Sequence, residues 1–178
     1  MGKSCLNKLS GNITVACKFN PVGIKNIYLM HTEDVTFTLG GPNLTEIASA
    51  SVSSGAAVIL VEGYKQNIQI TSSVRAMDAS AKLDIAVSFK MPILADADYR
   101  RIRSLLAGRF YVAAERNDGT HTLVGYTSPL ECSGMDWDSN ANAGLATVTL
   151  SAPEGSAGNY FMVISQGAMN SIKAKVGG

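Results

Sequence analysis

The sequence predicts a mainly β chain with one short amphipathic helix packed on a sheet, and three observations carry that reading. Leu83, Ile85, Val87, Phe89 and Met91 alternate with Lys82, Asp84, Ser88 and Lys90, the period of a strand with one wet and one dry face. Further short apolar runs are punctuated by Gly, Pro, Asn and Asp. A single stretch, "ADADYRRIRSLLAG", carries a convincing helical period. At 178 residues the chain reads as one domain, 1–178, long enough to bury roughly 70% of its unfolded surface.

Taken in order, "GIKNIYLM" and "EDVTFTL" read as the first strands, with Val35, Phe37 and Leu39 on one side of a sheet and Thr36 and Thr38 on the other. Gly40-Gly41-Pro42-Asn43 ends the second. "AAVILVEGY" (Ala56 to Tyr64) and "QNIQITSSV" (Gln66 to Val74) form a second β-rich block. From about 61 to 82 the sizeable apolar residues after Val61 thin out to Ile68, Ile70, Val74 and Met77, so this segment is expected to leave the body as a hairpin arm that touches a neighbouring subunit.

The helix is expected over about 95–107, with Tyr99, Ile102, Leu105 and Leu106 at helical spacing, Asp96 and Asp98 at its start and Gly108 just past its end. Arg109 to Arg116 reads as a strand, Asn117-Asp118-Gly119 as a tight hairpin turn, and Thr120 to Tyr126 as the return. Strands are also expected at Leu130 to Met135, Leu145 to Leu150 and Tyr160 to Ile164. The predicted core is Ile27, Leu29, Val35, Phe37, Ile59, Val61, Leu83, Ile85, Val87, Phe89, Ile102, Leu105, Val112 and Val148.

A formal net charge of +1 points to neither a general nucleic-acid binder nor an acidic tail. Cys5, Cys17 and Cys132 are odd in number and widely spaced, which reads as reduced thiols, with a Cys5–Cys17 bridge the alternative. The longest strongly apolar run, Ala56 to Val61, is far short of the ~20 residues a membrane span needs, and Lys3, Asn7 and Lys8 break any leader-like stretch.

Candidate chemistry is sparse. Asp136 to Asn142 places oxygen side chains at alternate positions as a calcium loop does, but Ala141 stands where the turn needs glycine and Thr147 where a bidentate glutamate belongs. It reads as a polar turn. His31, Glu33 and Asp34 form a small polar cluster that lacks a further ligand, His121 being the other histidine. The Ser49 to Ser54 stretch lacks a partnered base. Arg100, Arg101 and Arg103 with Lys90 make the densest positive patch, read as a solvated helix face or a salt bridge to a neighbouring subunit rather than a phosphate contact, since no aromatic residues interleave. No catalytic, metal-binding or cofactor-binding residue is assigned, and no cofactor is expected.

Taken together, Cys17, "GIKNIYLMHTEDV", "EIASA", "FYVAAERNDGTHTLVGYTSPLE", "CSGMDWD" and "GLATVTLSAPE" resemble a family of virion proteins from tailed phages that infect Bacteroidales, the crAss-like phages among them. The pattern lies at Gly23 to Leu29, Leu123 to Gly125, Ser133-Gly134 with Asp136 or Asp138, and Leu145 to Glu154. The resemblance implies a tail-tube-like β-sandwich or barrel with one flanking helix, acting as a tail tube, ring or baseplate subunit. It further implies a homo-oligomeric ring in the virion, assembled in the host bacterial cytoplasm. Its partners would be copies of itself and other virion tail proteins, with passive contact with genomic DNA in a lumen and no membrane. The rival reading is a carbohydrate- or protein-binding β-sandwich module using Trp137 beside the Asp136 to Asn142 loop. An enzyme of unrecognised type is a third reading and is not expected, because the two histidines lie apart in the sequence and no glycine-rich cofactor loop is present.

Overall fold

The computed structural model describes residues 23–41, 44–63, 67–77, 80–93, 96–138, 140, 145–154, 156 and 159–177. Cys5, Cys17, Pro42, Asn43 and positions 139 and 141–144 of the Asp/Asn-rich loop lie outside them. In chain order the elements are β1 (Ile24–His31), β2 (Val35–Gly40), β3 (Glu46–Val52), β4 (Ile59–Glu62), β5 (Ile68–Met77) and β6 (Ser80–Pro92). Then come α1 (Asp96–Ala107), β7 (Arg109–Arg116), β8 (His121–Val124), β9 (Leu130–Asp136), β10 (Leu145–Ser151), β11 (Met162–Ile164) and α2 (Gln166–Lys173).

The chain is mainly β, and its strands form one large mixed sheet. The path runs β2-β3-β11-β8-β7-β9-β10-β6-β5, and β1 joins β7 on its other edge with β4 beyond it. β11 and β3 pair in parallel, whereas consecutive strands such as β5–β6 and β7–β8 pair antiparallel. The β7–β8 turn is a hairpin loop closed by Arg116 N–H to Thr120 O at 2.9 Å and Gly119 N–H to Arg116 O at 3.1 Å. Gly119 takes φ +83°, the left-handed position that this loop type gives to glycine.

β1 and β7 lie between two cores, because both faces of each strand are covered. Ile27, Leu29, Phe110, Val112 and Ala114 point into the first core with Ile85, Val87, Phe89, Val148 and Leu150. Their alternate neighbours Tyr28, Met30 and Ala113 point into the second, with Ile47, Leu123, Met169 and Ile172. Strand alternation therefore disappears from the burial of β1, where Ile27 to Met30 are all buried. The predicted core residues Ile27, Leu29, Val35, Ile85, Val87, Phe89, Leu105, Val112 and Val148 are buried, and Phe37, Ile59, Val61, Leu83 and Ile102 pack against them partly exposed.

Several elements differ from the sequence reading. β3, where no strand was expected, carries a bulge: Thr38 pairs with Ser49 and Leu39 with Ile47, so Ala48 is the extra residue. That insertion puts Ile47 and Ala50, three apart, on the same buried side and hides the period of two. A second helix, α2, is present where none was expected. Ser165 caps it by accepting from Ala168 N–H at 3.2 Å, and Ala168, Met169 and Ile172 are buried. With Gly167, Asn170 and Ser171 among eight residues its propensity is poor, and packing supplies what propensity does not.

On α1, Leu105 is buried and Ile102 half-buried, but Tyr99 and Leu106 are exposed, so the apolar stripe is narrower than expected. Gly108 follows α1 for reasons of space: a Cβ there would lie 2.5 Å from the Phe110 ring and 2.9 Å from His31 Cε1. The polar face of β6 is half-buried rather than wet, with the Lys82 side chain 9% exposed and paired to Asp84 at 3.2 Å. β5 pairs with β6 over its full length. Its start belongs to the first core through Ile68 and Ile70, while Thr71 to Arg75 are exposed.

Candidate functional site

The densest polar constellation among the described residues is built around Glu115. The β7–β8 hairpin sets Glu115 opposite His121, and β1 brings Asn26 alongside Glu115 and Tyr28 alongside Ala113. Glu115 thus ends the row that faces the second core, where the last turn of α2 contributes Lys173. Its carboxylate accepts from Tyr28 Oη at 2.9 Å, from Lys173 Nζ at 3.0 Å and from Lys25 Nζ at 3.3 Å, with the Asn26 amide at 3.5 Å. The Glu115 side chain is 10% exposed. Burial there opposes ionisation, but the hydrogen bonds from Lys173, Tyr28 and Lys25 outweigh it and bring the carboxyl down to about 2. Tyr28, buried and donating to that carboxylate, is pushed up to about 12.

His121 is buried, and its Nε2 has no hydrogen-bond partner among the described residues. Burial and then the Lys173 charge hold its pKa below the ordinary histidine value. An acid–base pair works best when its pKa values lie near the working pH. Glu115 and Tyr28 are driven away from that range, and the geometry of the group fastens β1, β7 and α2 together.

The fold also assembles two clusters that are far apart in the sequence. His31 and Asp34, in the β1–β2 turn, share a cavity of about 510 Å³ with Ser54, Gly55, Arg100, Arg101 and Ser104. A second cavity of about 600 Å³ adds Glu33 and Arg109. The His31 ring lies against Phe110 at 4.6 Å between centroids, which fixes its plane. Arg101 donates to Asp98 at 2.8 Å and Arg109 to Glu131 at 2.6 Å, so two of the cations are neutralised in place. Ser54, His31 and Asp34 line one cavity, yet what joins His31 to Asp34 is a backbone bond, Asp34 N–H to His31 O at 3.1 Å, and among the described residues no side-chain hydrogen bond links the three; a serine without a bonded base is not activated. Lys90 lies instead with Asp98 and Arg101 along a separate apolar groove. Arg103 is exposed.

A further trough, of about 520 Å³, runs over the sheet between β5 and β9. Asp84 bridges Arg75 at 3.1 Å and Lys82 at 3.2 Å there, and Lys82 also donates to Ser156 O. Cys132 is half-buried with Sγ 3.6 Å from Gly134 O. At the end of β9, Asp136, Trp137 and Asp138 are exposed, and Asp138 accepts from Asn140 N–H at 2.8 Å, the geometry of a turn that satisfies its own backbone. Among the described residues no group of three His, Cys, Asp or Glu side chains is arranged to hold a metal ion, and no helix is long and apolar enough to cross a membrane.

Sequence reasoning missed the Glu115 group, because its members come from β1, β7, β8 and an unexpected helix. A usable signal was the hairpin itself: a turn at Asn117 to Gly119 already sets Glu115 across from His121. Comparisons with known protein families, with curated proteins and with solved structures find no match for the chain.

Proposed function

We propose that the chain is a structural subunit of a tailed-phage virion, of the tail-tube, ring or baseplate kind, that assembles with copies of itself into a ring. The observation that carries this reading is the sheet path, which among the described residues ends at β2 and at β5 with an unpaired edge on each. β5 is ten residues long, and five consecutive residues, Thr71 to Arg75, are exposed along it. A monomer usually blunts such an edge with proline, lysine or a covering loop, whereas an assembly pairs it. The wrap of β1, β7, β9, β10, β6 and β5 around the first core supports a barrel-like, tail-tube-like body. The sequence resemblance to phage virion proteins supplies the particle.

Electron micrographs of the purified protein at high concentration test the proposal. Rings or stacked tubes are expected, and a strict monomer that also fails to enter virions refutes it. The exposed Trp137 beside Asp136 and Asp138 favours one rival, a carbohydrate- or protein-binding module. Glycan-array binding lost in Trp137→Ala selects that rival.

A further inference from the structure

Lys173 and Asn26 meet on one carboxylate oxygen. Glu115 Oε2 accepts from Lys173 Nζ at 3.0 Å and from the Asn26 amide nitrogen at 3.5 Å, with Tyr28 Oη at 2.9 Å on the same oxygen. Lys25 reaches the other oxygen, Oε1, at 3.3 Å, and is the more exposed of the two lysines. The parts come from three separate elements: Asn26 from β1, Glu115 from β7 and Lys173 from the last turn of α2. Buried groups back the site, with the Tyr28 ring 5.8 Å from Lys173 Nζ and His121 across from Glu115. Asn26 Oδ1 accepts from Gly63 N–H at 3.4 Å, a donor shared with Lys25 O at 2.7 Å. That approach requires glycine, because a Cβ at Gly63 would collide with the backbone carbonyls of Ile24 and Lys25.

An amine and a carboxamide held on a shared carboxylate are the parts needed to join two side chains. We propose that Lys173 and Asn26 are the two ends of an amide cross-link that the chain forms within itself, with Glu115 carrying the proton. Glu115 takes one proton from the Lys173 ammonium, and the lone pair freed on Nζ attacks Asn26 Cγ. The Cγ–Nδ2 bond then breaks as the proton held by Glu115 and a second one from Nζ pass to Nδ2. An ammonium ion leaves, an amide bond from Nζ to Cγ remains, and the Glu115 carboxylate is regenerated without any oxidant or cofactor. Gly63 N–H points at the oxygen on which charge develops, and the long Lys173 side chain lets Nζ close to the ~3–3.5 Å that attack requires. Burial brings the neutral amine–acid pair nearer in energy to the ion pair than it is in water. With its carboxyl at about 2 Glu115 is a weak base, so the reaction is slow, and a bond made once per chain needs no faster one. Freshly made chain therefore still carries the ion pairs. Lys25 is the immediate neighbour of Asn26, and a bond between them would tie no two elements together, whereas Lys173 ties α2 to β1.

The test is intact-mass and peptide-map spectrometry of the full chain, kept folded by circular dichroism and incubated for days at neutral to mildly alkaline pH. The expected result is a loss of about 17 Da, the mass of one ammonia displaced by the amine, together with one branched tryptic peptide that joins Asn26 to Lys173. A folded chain that keeps its mass overturns the proposal. So does a mass loss without the branched peptide, which is ring closure of an asparagine on its own backbone, and so does a branch at Lys25. Lys173→Arg retains a cation for Glu115 and should abolish the branched peptide, while Lys25→Arg should leave it. Glu115→Gln should slow its appearance at least tenfold, and an unchanged rate removes the proton-carrying role and overturns the mechanism. The peptide map of the unmodified chain decides the matter even where a variant fails to fold.

Discussion

Replacing Glu115 by glutamine should remove about 3 kcal/mol of stability at pH 7. The carboxyl is lowered from 4.5 to about 2, and each tenfold gain in acidity corresponds to about 1.36 kcal/mol of differential interaction. Glutamine keeps an acceptor for Tyr28, so the loss falls on the ion pairs. It falls most on Lys173, whose side chain is 33% exposed against 58% for Lys25, because water compensates the more exposed cation. The sign of the pH dependence follows from the direction in which the carboxyl moves. A depressed carboxyl contributes its full stabilisation above pH 4.5 and loses it as the pH falls towards 2. Urea denaturation followed by circular dichroism, for both chains between pH 7 and pH 2, gives the difference directly. The gap between them should be constant above pH 4.5 and close below it. A gap under ~1 kcal/mol at pH 7, or one that persists unchanged at pH 2, refutes the fastening role of this group.

Acidification from pH 6.5 downward should remove further stability, because the unfolded chain protonates His121 more readily than the folded one; an unchanged pH profile in His121→Gln counts against this. Phe89→Ala should cost about 3–5 kcal/mol by denaturant titration, since Phe89 is 2% exposed in the first core. Ile172→Ala should cost about 2–5 kcal/mol, and a loss below ~1 kcal/mol would detach α2 from the second core. Added calcium should leave the melting temperature unchanged, and a rise that Asp136→Ala with Asp138→Ala abolishes would establish a site in that loop.

What could be read from the sequence depended on whether local pattern and final environment agreed. β6 and α1 were legible because each has a single buried face, so Val87 and Phe89 or Ile102 and Leu105 recur at the period of their element. β3 was not, because the bulge at Ala48 breaks its period. α2 was not, because its helicity follows from burying Met169 and Ile172 rather than from its own residues. β1 and β7 were recognised as strands, but their double burial was invisible, since Tyr28 and Glu115 look like surface positions until α2 covers them. His31 and Arg100 were each noted, and only the folded chain brings them to one cavity.

The strands shared by the two cores have a kinetic consequence. Neither core can open without exposing a face of β1 and β7, so the two should not melt as separate units, and the chain should unfold in one cooperative step. The amide protons of Leu29, Val112 and Ala113 would then exchange with solvent only through complete unfolding, at a common rate set by global stability. Exposed edges such as Thr71 to Arg75 would exchange orders of magnitude sooner, leaving a molecule whose periphery rearranges while its spine stays shut.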